Sequence, residues 1–138
     1  MNYGIETQEQ LEGIENTLQN ELIDIGVNCA ILLDTAGNTI AKADNGKKNY
    51  DTYAFAALAA GNYASVDAMA QLIDEKEFSL LFHKGENSSI QFCKVNEDLL
   101  LVNIFGKEIS LGFLRLKVTE VVEKIKNICK APKKVSAA

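Results

Sequence analysis

Residues Leu99 to Phe105 read LLLVNIF. A strand turns successive side chains to opposite faces. Here both sets are apolar except for Asn103, so both faces need cover and the strand belongs in the middle of a sheet. Val27 to Asp34, VNCAILLD, repeats the pattern, with Val27, Cys29, Ile31 and Leu33 on one register and Ala30 and Leu32 on the other. Two such strands, placed side by side, require helices above and below them.

The flanking sequence supplies both layers. Residues 7 to 25 read as a first helix, opened by the capping-box pair Thr7 and Gln10 and striped by Leu11, Ile14, Leu18, Leu22 and Ile25. Gly26 is its expected stop. After Val27 to Asp34, Thr35-Ala36-Gly37-Asn38 makes a turn into a short strand, Thr39 to Ala43, where Lys42 suggests a sheet edge. A long helix follows from about Asp51 to Asp74. Strands Phe78 to His83, Ser89 to Val95 and Leu99 to Phe105 then run as a meander, joined by polar turns. A last helix, Leu111 to Lys130, carries Leu111, Leu114, Val118, Val121, Ile125 and Ile128 on one stripe, and Pro132 ends it. The order is α-β-β-α-β-β-β-α, an α+β fold with a mainly antiparallel five-stranded sheet. It reads as one domain, residues 1–130, with 131–138 expected to be a disordered tail.

The middle helix is unusual. Residues 54–72, AFAALAAGNYASVDAMAQL, hold eight alanines, one glycine and a single charge, Asp67. At 100° per residue, Phe55, Leu58, Val66, Met69 and Ile73 gather in one stripe, expected to lie on the sheet. Ala57, Ala60, Gly61, Ala64 and Ala68 form a second stripe that the same sheet cannot also bury. Helix propensity explains alanine in general, but not a glycine costing about 1 kcal/mol in a helix interior. The small stripe therefore reads as a partner surface, where another backbone can come close. Strand 78–82 has neither proline nor internal charge, so as an edge it invites pairing. Phe78, Leu80, Leu81 and Phe82 are the expected dimer contacts of a two-fold homodimer.

Composition excludes several classes. The formal charge of −5 argues against nucleic acid. Residues 1–41 carry seven acids and no Lys or Arg, while the remainder is near balance. No apolar run spans a bilayer, and the first residues lack a signal-peptide pattern, so membrane insertion is not expected and the cytoplasm is the expected location. Cys29, Cys93 and Cys129 are widely spaced and read as reduced, buried thiols. With His83 the single histidine, no metal site is expected. No phosphate-binding loop, dinucleotide, zinc-protease or nucleophile-elbow motif occurs, and no catalytic residue or cofactor is expected. His83 is expected to end a strand with a local hydrogen bond.

Taken together, AILLDTAGNTIAKAD, AFAALAAGNYASVDAMAQL, EFSLLFHKGEN and LLLVNIFGKEISLGFLRLKV resemble the roadblock family, over about residues 7 to 130. That family includes the dynein light chain roadblock and bacterial regulators of Ras-like GTPases, and the likeness is greatest to the gliding-motility type. The resemblance implies a profilin-like three-layer sandwich. It further implies a homodimer with a sheet continuous across both copies, and a small Ras-like GTPase docked on the paired second helices. The matching positions are Ala57, Ala60, Gly61, Ala64 and Ala68. In this reading the GTPase, in its GTP form, supplies its own catalytic groups, and the chain is a regulator without an active site that stimulates hydrolysis in bacterial polarity or motility. Arg115, the one arginine, is expected to pair with a carboxylate or the sheet end rather than act as an arginine finger. Two other readings are a scaffold that binds partners in either nucleotide state, and a small-ligand sensory domain. The latter needs a cavity that the dense Leu and Phe content gives little reason to expect.

Overall fold

A computed structural model describes residues 3–78 and 81–130. Its elements are α1 (Gln8–Glu21), β1 (Val27–Asp34), β2 (Thr39–Asp44), α2 (Thr52–Leu72), β3 (Leu81–Lys84), β4 (Ser89–Lys94), β5 (Leu99–Phe105) and α3 (Leu111–Lys130), with a short 3₁₀ turn at Ile23–Ile25. The order matches the one read from the sequence. All five strands join one antiparallel sheet, β2-β1-β5-β4-β3, so the two doubly apolar strands are central neighbours. They pair from Val27 opposite Phe105 to Asp34 opposite Leu99.

Each face of the sheet has its own core. Ala30 and Leu32 of β1 and Leu99 and Leu101 of β5 meet Ile14, Leu18 and Leu22 near α1 and Leu114, Val121 and Ile125 of α3. Cys29, Ile31, Leu33, Leu100, Val102 and Ile104 point the other way, towards α2. Asn103, fully buried, donates from Nδ2 to Oε1 of Gln91, its partner across β4, at 3.0 Å.

Local chemistry sets the ends. Thr7 accepts from the Gln10 amide while Gln10 Oε1 accepts from the Thr7 amide, completing the capping box. The first helix stops at Glu21 rather than 25: its last turn tightens to 3₁₀, and Gly26, at φ +122°, releases the chain into β1. The third strand also differs from expectation. β3 begins at Leu81, Phe78 lies before it, and Ser79 and the expected dimer contact Leu80 fall outside the described residues. The expected tail, 131–138, and Pro132 also lie outside them.

The largest correction concerns α2. Of the bulky stripe, Phe55 packs on the sheet-side core, but Leu58 (76% exposed), Met69 (54%) and Ile73 are turned to water and Val66 is half-buried, so the stripe as a whole does not lie on the sheet. Ala56, Ala59, Ala60 and Ala70 do, with Tyr63 and Phe55 beside them. The reason is volume. The strands beneath already present Ile31, Leu33, Leu100 and Val102, and close packing leaves room only for small helix side chains.

Candidate functional site

Turning the alanines inward leaves a second apolar face outward. Ala57, Gly61, Ala64 and Ala68 are exposed and fall within about 60° of one another around the helix axis. Leu58, Met69 and Leu72 (84% exposed) border them. Ala60, expected in the same stripe, is only 6% exposed and belongs to the α2-side core; at about 80 to 100° from Gly61 and Ala68 it rotates onto the sheet. Beyond the helix's own backbone, a Cβ at Gly61 would meet no atom within 4 Å, so internal packing does not require glycine there. Soluble chains rarely leave such a continuous apolar face bare.

The margin of this face is built by the β1–β2 turn. Gly37, at φ +91°, sits against α2 so closely that a Cβ would stand 2.8 Å from the Ala57 Cα. Asp34, 3% exposed, organises the turn by accepting from the Ala36 amide (3.0 Å), the Asn38 amide (2.8 Å), Asn38 Nδ2 (3.0 Å) and the Tyr3 hydroxyl (2.8 Å). Burial opposes its charge. The bonds from Asn38, Tyr3 and Ala36 outweigh that and hold the carboxyl below the usual range. The hydrogen bond to Asp34, followed by burial, raises the Tyr3 phenol in turn.

The edge strand β3 adjoins the same side. Leu81 packs towards α2, while Phe82 packs towards the helix pair and stacks on Phe105 at 5.9 Å; Phe78, just outside the strand, is 44% exposed. The outer side of β3 carries no neighbouring strand among the described residues. His83 lies within β3 rather than ending it. Its Nε2 is 3.1 Å from Oδ1 of Asn62 on α2, a contact distant in sequence.

Arg115 lies exposed on α3, lining an open groove of about 490 Å³ at the sheet edge with Leu116, Phe78 and Gln91. Among the described residues it makes no ion pair, so the expected carboxylate partner is not found; Glu77, on the same groove, faces Lys94 at 3.6 Å. Burial pushes the Cys29 thiol up to about 11 and raises those of Cys93 and Cys129, so all three are held as neutral thiols. Among the described residues, no group of three or more His, Cys, Asp or Glu is arranged to hold a metal, and no helix is long and apolar enough to cross a membrane.

Known structures share this fold. Myxococcus xanthus MglB superposes with a TM-score of 0.80 at 31% identity, covering 90% of this chain and 92% of that one. The gliding protein MglB from Thermus thermophilus gives 0.82 at 26% identity, with 91% and 94% covered. Profilin IA of Acanthamoeba castellanii shares the fold at a TM-score of 0.55 and 18% identity, covering 79% of this chain and 93% of that one. The sandwich is thus profilin-like. The sequence model of the Roadblock/LC7 domain matches residues 14–105, two thirds of the chain, and with the MglB likeness this shows that the chain belongs to the Roadblock/LC7 domain family.

Proposed function

We propose that this chain is a cytoplasmic, non-catalytic regulator that binds a small Ras-like GTPase in its GTP form and stimulates hydrolysis, in bacterial motility or polarity. The observation that carries the reading is the outward face of α2, where Gly61 has open space around it and Ala57, Ala64 and Ala68 stand within a border of exposed Leu58, Met69 and Leu72. Small side chains let a partner's backbone approach closely, and they lose little conformational freedom on binding. The likeness to MglB gliding proteins supports the motility setting.

In this reading the chain works as a homodimer. Two copies pair along β3, with Phe78, Leu80, Leu81 and Phe82 near the seam, and set their α2 helices side by side as one platform. The GTP form is the target because the γ-phosphate orders the switch loops that a rigid platform can recognise. The chain contributes shape rather than a catalytic group, holding those loops where the GTPase's own residues act. Arg115 stands on α3, whose core residues cover the sheet face opposite α2, and this reading gives it no role as a finger.

Single-turnover GTP hydrolysis by the cognate Ras-like GTPase, with and without this chain, tests the proposal. Acceleration is the expected result. Binding that is equal for GDP and GTP forms, without acceleration, would instead support a scaffold. Failure to bind either form overturns the reading.

A further inference from the structure

We propose that Tyr3 is a positioning residue for the docking face: by holding Asp34 it fixes the β1–β2 turn against Ala57 of α2. The inference rests on the reading of that face as the GTPase site and adds a residue far from it in sequence.

The segment before α1 folds back through two left-handed residues, Tyr3 at φ +56° and Gly4 at +85°. Gly4 lies against the end of α3, where a Cβ would stand 2.6 Å from the Cys129 carbonyl oxygen. Gln10 locks the junction, its Nε2 donating to both the Gly4 and Ile128 carbonyls at 3.0 Å. A non-glycine residue keeps a positive φ only where its surroundings hold it. For Tyr3 those surroundings are the helix-pair core, on which its ring packs, and the Asp34 carboxylate, which accepts from its hydroxyl at 2.8 Å.

Asp34 also binds the amides of Ala36 and Asn38, so its carboxylate sets the shape of the turn. Gly37 of that turn abuts Ala57, one helical turn from Gly61. The bonds from Asn38 and Ala36 form the turn without Tyr3. What Tyr3 adds is a fixed point on the opposite side: it packs, half-buried, against the core under α1 and α3, whereas Ala57 lies on the helix covering the other face. A turn gripped from both sides of the sheet resists rocking about its strand ends, and so holds the margin of the platform in place.

Tyr3→Phe removes only the hydroxyl. In the full chain, affinity for the GTP-loaded GTPase is expected to weaken about three- to tenfold, while the dimer is retained. Leu11→Ala serves as the comparison. It lowers stability through the same helix-pair core, and affinity is expected to stay within about twofold, because Leu11 lies on α1 and makes no hydrogen bond to Asp34. An unchanged affinity in Tyr3→Phe, or an equal loss in both variants, overturns the proposal. If the unsubstituted chain binds no GTPase, the docking reading has failed on its own account. The positioning is then decided by amide exchange in the free chain: faster exchange of the Ala36 and Asn38 amides and of α2 around Ala57 in Tyr3→Phe supports it, and unchanged exchange rejects it.

Discussion

On the sheet side of α2, Ala56, Ala59, Ala60 and Ala70 are buried, the first three in one cluster with Ile31, Leu33, Leu100 and Val102. On the water side, Ala57, Gly61, Ala64 and Ala68 stand exposed, and beyond the helix's own backbone a Cβ at Gly61 would meet no atom within 4 Å. The two faces share a composition, yet they answer to different constraints. The inner alanines are set by volume, because bulky strands leave only a shallow space. The outer residues have no such partner within the chain, so their smallness points to something outside it. A helix can thus be poor in polar residues for two separate reasons at once.

Gly61→Arg should break the outer face alone. GTPase binding is expected to fall by about 30-fold or more, the size of a hot-spot loss. The melting temperature should hold or rise slightly, since glycine is the poorer helix former by about 1 kcal/mol. Retained binding with lost stability, measured by calorimetry and thermal melting, would exchange the roles of the two faces. Ala56→Leu probes the inner face: overpacking should cost about 1–3 kcal/mol in urea unfolding, and a neutral result would mean the helix is not closely seated.

The edge strand extends the comparison to the proposed seam. Phe78→Lys should weaken self-association at least about tenfold by analytical ultracentrifugation, since a charge would enter an apolar contact. The monomer's fold should survive, because Phe78 is nearly half exposed already. Unaltered association would place the seam elsewhere.

At the margin of the outer face, Asp34 gives a pH signature. Its folded carboxyl lies below the ordinary value near 3.9, so it binds protons less readily when folded. Its stabilisation is complete above that ordinary value and is lost as pH falls through the lower, folded one. Asp34→Asn should flatten this acid limb in a series of melts; an equally steep limb would assign it to other carboxylates. The smallest effect belongs to Arg115→Ala, where hydrolysis should change by less than about threefold, against the roughly 10³-fold loss of a missing arginine finger.

The layer plan was legible in the strands. LLLVNIF and VNCAILLD each need cover on two faces, and that demand holds whatever the connections are. The stripes of α1 and α3 were equally plain, because large apolar residues at helical spacing mark one buried side. The same rule misled at α2. Size as the mark of the buried side puts Leu58, Met69 and Ile73 on the sheet, yet all three are exposed. Ala60 reads as part of the outer stripe for a related reason. Spacing alone places it between the two faces, and only the position of the sheet decides between them. The pairing of Tyr3 with Asp34 carried no sequence signal, since the two lie 31 residues apart and neither belongs to a motif that names the other.

By itself, the sequence determined the order of elements, the central place of two strands, and the presence of more apolar helix surface than one sheet can cover. These are periodic properties, written in the local spacing of side chains. Tertiary structure alone decided which face of α2 meets the sheet and which residues brace its margin. Those outcomes depend on the volumes facing the helix and on chain segments that meet only after folding.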